Sequence, residues 1–451
     1  MKKDLNVALE AVRRHERMIL DAERYIWNNP ESGYREWKTH AYMKKIFEDL
    51  GHTVVEAGNI PGFYADVVTG REGPTVAVFG EMDSLIVPTH PEADPETGAV
   101  HACGHHCQCA ALLGLAAALA DPAVLEGLCG TIRLIAVPAE ELIEVAFRRE
   151  LQKNGTIRYM GGKQEFMYRG ILDGVDLSLM IHTTGGEGKY QCNGGSNGCI
   201  IKEAVFTGKS AHAGGSPHKG INALYAANCA MQAANSLRET FREKDYIRFH
   251  PIITAGGSAV NSIPDHVSTE SYVRGATMEA IYEANRKLNR AFAGSAAAMG
   301  CGLHLWDQHG YAPRTYDPAL KALCLEVGQE LFPAEEISFT SNWGTGCSDM
   351  GDVCCVMPAI HPYVTGATGA SHSSEFYITD PVTACVTSAQ VQAAILIRLL
   401  ENGAERAGAI LQNPWREYPT IPEHLAMIDR SCIDQDAVSY EADGAITLRY
   451  C

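Results

Sequence analysis

The stretch HACGHHCQCAALLGLAAALA, residues 101–120, decides how the first half of this chain is read. Its Ala- and Leu-rich part predicts a buried helix over 108–120, and its Cys and His residues crowd the foot of that helix. Working outward, TVAVFGEMDSL reads as a buried strand over 75–80 that ends in Glu81 and Asp83. IRLIAVPA at 132–139 and LSLMIHTT at 177–184 read as further buried strands, and β-rich runs at 52–56 and 63–69 complete the set. Amphipathic spacing predicts helices at 8–28 and 36–50, separated by a Pro-Glu-Ser-Gly turn at 30–33. Strands alternating with helices make this an α/β layer with a mainly parallel sheet.

After about residue 195 the order changes. A strand at 199–207, a helix at 218–237, strands at 247–255 and 267–275, a helix at 277–298 and a strand at 302–307 spell β-α-β-β-α-β, the ferredoxin-like pattern. The earlier style returns at 317–331, 353–357 and 384–401. The expected architecture is an α/β catalytic domain with a smaller domain inserted in it: 1–195 and 311–405 form the first, 196–310 the second, and 406–451 a turn-rich extension.

With 451 residues, 46% hydrophobic and 20% charged, the chain has the composition of an ordinary globular protein. Lys and Arg number 37 against 54 Asp and Glu, a net charge of −17, which argues against nucleic acid or an anionic membrane as partner. The amino end is charged and amphipathic, and the most apolar run, 111–120, is too short to span a bilayer. The expected location is therefore the cytoplasm, where 15 cysteines point to metal or catalysis more than to disulfides.

Cys103 and His105, two apart around Gly104 at a helix amino end, are spaced to converge on one ion, and the helix terminus favours the thiolate. Cys107 and Cys109 read as packing thiols. Asp83 lies where α/β sheets bind ligands and can orient a histidine or touch a metal. Glu140 and Glu141 are neighbours at a strand end, so they point differently; one can bind metal while the other handles a proton. His182 and His372 are each unremarkable alone, but with Cys103, His105 and an acid they supply the N, S and O donors of a two-metal hydrolase. His212 lies in a Gly-rich loop, Asn261 precedes a Pro turn, and Arg274 is suited to gripping a carboxylate.

Nine segments in register resemble the M-twenty metallopeptidase family, which includes aminoacylases, indole-acetyl-amino-acid hydrolases and aminobenzoyl-glutamate hydrolases. They are NNPESGYREWKT, GEMDSL, HACGH, PAEE, MIHTT, GKSAHAGGSPHKGINAL, NSIPD with VRG, SDMGDV and ASHSSEF. The resemblance implies a zinc-peptidase-like α/β/α domain with a ferredoxin-like lid and dimerisation domain. It implies that Cys103, His105, Glu141, His182 and His372 bind two divalent metals, zinc or manganese, with Cys103 bridging. Glu140 would be the general base, Asp83 an acid behind the ligands, and His212 a group presented to the partner subunit of a homodimer. Asn261 and Arg274 would hold the substrate's carboxylate end. Three features depart from the family pattern: His106 and Gln108 replace an Asp and a His, Trp27 replaces a frequent His, and Leu-Ile-Glu-Val follows PAEE where glycines are usual.

The expected function is hydrolysis of a small N-acyl amino acid or dipeptide-like amide. Deamination of an aromatic amine on the same site is the alternative within enzymes, and a silent metal or thiol sensor the alternative outside them. Retention of both Glu140 and His212 argues against the sensor.

Overall fold

The computed structural model describes residues 2–442 and 444–450, which divide into two compact units. The first gathers Met1–Gly195, Thr315–Asn342 and Ser348–His424. Its main sheet has six strands in the order Val54–Glu56, Phe63–Val68, Thr131–Val137, Thr75–Glu81, Leu177–Leu179 and Ala359–Ile360. The last four run parallel, and the first two add an antiparallel edge. A parallel strand covered on both faces is apolar throughout, which is why Val76–Glu81 is buried without alternation.

The helix His105–Leu119 packs on that central strand, and all of its side chains are buried. It starts three residues earlier than its apolar run suggests, so the whole Cys- and His-rich segment from His105 is helical. LSLMIHTT is not one strand but two. Leu177–Leu179 belongs to the six-stranded sheet, whereas His182–Thr184 pairs with Tyr363–Thr365 in a separate four-stranded sheet. The helix expected over 8–28 likewise breaks into Asn6–Arg13 and Glu16–Trp27.

The second unit comprises Ser196–Arg314, Trp343–Cys347 and Leu425–Cys451. Its central strands are Gly198–Thr207, His266–Gly275 and Gly302–Tyr311, all antiparallel, with the helices Ala223–Ser236 and Met278–Ala298 packed on one another and on the sheet. The strand expected at 247–255 is interrupted at Pro251, which cannot donate to a ladder, leaving Arg248–Phe249 and Ile252–Ala255 end to end along His266–Gly275. These four positions reproduce the ferredoxin-like strand order. Beyond Gly302–Tyr311 the sheet continues into the hairpin Ile433–Tyr440 and Ile446–Leu448, and Ala437 and Val438 enter the unit's core. The tail from 406 is thus not a separate extension: its helix to Gln412 belongs to the first unit and its terminal hairpin to the second.

Among the described residues one helical stretch, Val382–Gln412, is long and apolar enough to cross a membrane by composition, whereas the sequence reading puts the most apolar segment at 111–120. Its apolar window is 83% buried inside the protein, as a core helix would be.

Gly162 opens the helix Gly162–Tyr168 directly against the strand that leads to Glu140: a Cβ there would lie 1.6 Å from the Pro138 carbonyl oxygen. Gly162→Ala should therefore destabilise the protein by about 1–3 kcal/mol through forced backbone movement, measured as a lower urea midpoint at unchanged slope.

Candidate active site

Gly104 caps the helix His105–Leu119 with φ 98°, a left-handed conformation that suits glycine, and a side chain there would press on Thr183 at 3.3 Å. This turn aims Cys103 and His105 into one space. From the neighbouring strand end, His182 brings Nε2 to 3.5 Å from Cys103 Sγ, while its Nδ1–H donates to the Thr183 carbonyl at 2.6 Å. His105 Nδ1 faces the Asp83 carbonyl at 3.0 Å and Asp83 Oδ1 at 3.2 Å, which leaves Nε2 as the nitrogen that can meet a metal. Asp83 Oδ2 accepts from the Glu141 main-chain N–H at 2.7 Å, so this buried acid orients two neighbours and lies behind them.

Glu141 Oε1 stands 3.3 Å from His372 Nε2. His372 has a left-handed backbone, φ 66°, and its N–H donates to the Ala102 carbonyl at 2.9 Å, tying its loop to the Cys103 turn. The donor atoms form two groups, Cys103–His105–His182 and Cys103–Glu141–His372, in each of which all atoms lie within 4.8 Å of one another. Cys103 belongs to both. Edges of 3.3 and 3.5 Å match a tetrahedron of N, O and S ligands about 2.0–2.3 Å from a central ion, so the donors fit divalent metal.

The charges agree with that use. Burial and Glu141 raise the Cys103 thiol's proton affinity, but His105 and His182 outweigh them and bring its pKa to about 6. Burial likewise opposes ionisation of Glu141, yet the hydrogen bond and charge of His372 hold its pKa at about 2. Glu140 behaves oppositely: burial first, then Glu81, Glu141 and Asp349, push its carboxyl well above the usual range. Its Oε2 is 3.9 Å from His105 Nε2.

Several supporting residues escaped the sequence reading. Lys163, fully buried, bridges Glu81 Oε1 and Asp349 Oδ1, each at 2.5 Å. Glu81 Oε2 faces His105 Nε2 at 3.2 Å and accepts from Gln108 Nε2 at 2.8 Å. Gln108, a departure from the family pattern, thus anchors an acid beside the ligands. Ala139, just before Glu140, has φ 58°, and its N–H donates to buried Glu36 at 2.8 Å. Glu144, in the segment where the family pattern has glycines, stands at φ 52°, held by Ser32 and by Arg35 Nη2 at 3.0 Å. No spacing rule marks Glu36 or Lys163, because each acts across more than 80 residues of chain.

The other three candidate residues lie in the second unit. His212 is exposed in its loop, and its Nδ1 accepts from the Gly214 and Gly215 N–H groups at 3.1 and 2.8 Å. That fixes the tautomer with Nε2–H free to donate. Asn261 adjoins it, its carbonyl accepting from Ala213 N–H at 2.9 Å. Arg274, opposite Cys199 on the adjacent strand, lies against the Cys199 and Cys347 thiols.

The model of peptidase family M20/M25/M40 matches residues 76–398, more than half of the chain. The chain belongs to peptidase family M20/M25/M40. Among curated relatives, the Xaa-Arg dipeptidase of Mus musculus is 28% identical over 372 residues, 78% of each chain. The N-acetyl-L-cysteine deacetylase of Bacillus subtilis is 26% identical over 326 residues, 70% of this chain and 73% of that one. Among solved structures, a dinuclear metal binding M20 peptidase of Bacillus subtilis superposes with a TM-score of 0.64 at 20% identity, covering 86% of this chain and 99% of that one. An aminobenzoyl-glutamate utilization protein of Klebsiella pneumoniae gives 0.66 at 19% identity, over 87% and 99%. As an M20 family member the protein is a metal-dependent hydrolase, with an α/β catalytic unit and a ferredoxin-like unit.

Lys163→Met should leave Asp349 buried without its counter-ion and Glu81 with only histidine beside it. Chemical denaturation should show a loss of about 3–5 kcal/mol, the usual effect of removing one partner from a buried ion pair.

Proposed function

We propose that this M20 enzyme hydrolyses the amide bond of a small N-acyl amino acid or dipeptide-like compound. The observation that carries the reading is the membership of Cys103 in both donor groups: Cys103, His105 and His182 would hold one divalent ion, and Cys103, Glu141 and His372 the other. When bound, such a pair supplies Lewis acidity toward a water and an amide carbonyl. Thiolate and imidazole donors suit zinc, while the carboxylate-containing half also accommodates manganese.

The chain's own groups manage protons and position. Glu140, buried next to Glu141 but directed elsewhere, takes the proton of the attacking water and returns it to the departing amine nitrogen. His212, with Nε2–H free, donates to the oxygen on which negative charge develops. We assign that donation to a neighbouring subunit of a homodimer. Supporting this, the strand Ile252–Ala255 forms an edge of the second unit's sheet with Ile252 and Ile253 exposed, a row of groups ready to pair with another copy. Asn261, beside His212, and Arg274, which has no acidic partner among the described residues, are assigned to the substrate's carboxylate.

Glu140→Gln should retain its metal content while turnover falls by about 10²–10⁴-fold. Full activity in that variant would remove Glu140 as base. His212→Ala should lose about 10²–10³-fold. Mixing the two inactive variants should then restore about a quarter of native activity, since one in four sites of a randomised dimer pairs an intact Glu140 with an intact His212. No recovery on mixing would place His212 in the same chain's site or outside the mechanism.

A further inference from the structure

Helix Glu16–Trp27, helix His105–Leu119 and the π-helical turn Val382–Thr387 pack pairwise in the first unit. Where they meet, Glu23, His106, Cys107 and Cys385 converge, all essentially inaccessible to solvent. Glu23 Oε1 is 3.3 Å from His106 Nε2, and Cys107 Sγ is 3.4 Å from the same nitrogen. The Cys385 thiol is within hydrogen-bonding contact of Cys107. The donor atoms of Glu23, His106 and Cys107 lie within 4.8 Å of one another.

None of these side chains belongs to the two groups that share Cys103. From the sequence, Cys107 is a packing thiol and His106 an unexplained departure. Packing does not account for a carboxylate, an imidazole and two thiols gathered in one dry place, because each polar group so buried needs a partner of matching charge. Nor is the Glu23–His106 contact a tight ion pair. A charge-assisted N–H···O bond closes to about 2.7–2.9 Å, whereas 3.3 Å is the edge of a tetrahedron whose N and O ligands sit about 2.0–2.1 Å from a central ion. The 3.4 Å contact to Cys107 is near the about 3.5 Å edge that a sulfur ligand at about 2.3 Å would give. Arg24 also donates to Glu23 Oε1, at 3.0 Å, from its half-exposed side chain. The Trp27 ring stands edge-on to His106 at 5.0 Å and walls the cluster off.

We infer that Glu23, His106 and Cys107, with Cys385 against the Cys107 thiol, form a third metal site that takes a zinc-type ion and pins the helix carrying Cys103 and His105 to helix Glu16–Trp27. All three donors are essentially inaccessible and lie apart from the groups that share Cys103, so such an ion would be structural and not catalytic. Its existence does not depend on the dinuclear reading.

Metal content per chain, measured by mass spectrometry on protein purified with added zinc, tests it. The native chain should hold three ions, a Cys103→Ser, His182→Ala variant one, and a Cys107→Ser, Cys385→Ser variant two. Two ions in the native chain and none in the Cys103→Ser, His182→Ala variant would overturn the third site and leave the dinuclear reading standing. One native ion, lost only in the Cys107→Ser, Cys385→Ser variant, would support the third site and overturn the dinuclear reading. Because core substitutions can prevent folding, cobalt provides a second readout on the variant whose third cluster is intact. Cobalt-loaded Cys103→Ser, His182→Ala protein should show a thiolate-to-metal charge-transfer band. Absence of that band would overturn the proposal.

Discussion

A single sulfur atom, the Cys103 thiolate, is common to the two groups of donors at the candidate active site, and the rest of the first unit serves to keep it there. It depends on the turn at Gly104, whose left-handed backbone lets the chain enter a helix while Cys103 and His105 face the same space. That helix is buried along its whole length, so the turn is fixed to the most rigid part of the fold. The C-terminal ends of the strands beside it deliver Asp83, Glu140 and Glu141, and the switch of the chain from one sheet to another at Met180–Ile181 delivers His182.

The surroundings are as constrained as the donors. Three non-glycine residues near the site, Ala139, Glu144 and His372, hold left-handed backbones, each fixed by bonds from distant segments. Such strain persists only where neighbours over-determine it, and here the neighbours are Glu36, Ser32 with Arg35, and Ala102. Burial opposes ionisation of Glu81, but Lys163, His105 and His182 hold its pKa at about 2, whereas burial and the charge of Glu81 carry Asp349 up to about 7 against the pull of Lys163. The site therefore contains acids of very different proton affinity a few ångströms apart, a division of roles that hydrolysis by water requires.

Much of this was legible in the residues. The alternation of strand and helix, the ferredoxin-like order and the coming together of Cys103, His105, Glu141, His182 and His372 all follow from local patterns or from segments in register with a family. What was not legible acts at long range. Pro251 splits a strand because a neighbour must receive hydrogen bonds that it cannot give; His182–Thr184 changes sheet because Tyr363–Thr365 offers a parallel edge; the terminal hairpin extends a sheet begun more than 200 residues earlier. Glu36, Lys163 and Gln108 carry no motif of their own, and their part is visible only when the backbone brings them beside Ala139 and Glu81.

The most direct test of the shared thiolate is an anomalous difference map from crystals grown with zinc, with data collected on both sides of the zinc absorption edge. Two peaks are expected beside Cys103, each about 2.3 Å from its Sγ, one also bonded to His105 and His182 and the other to Glu141 and His372. A single peak there, or two peaks of which only one touches the sulfur, would contradict it.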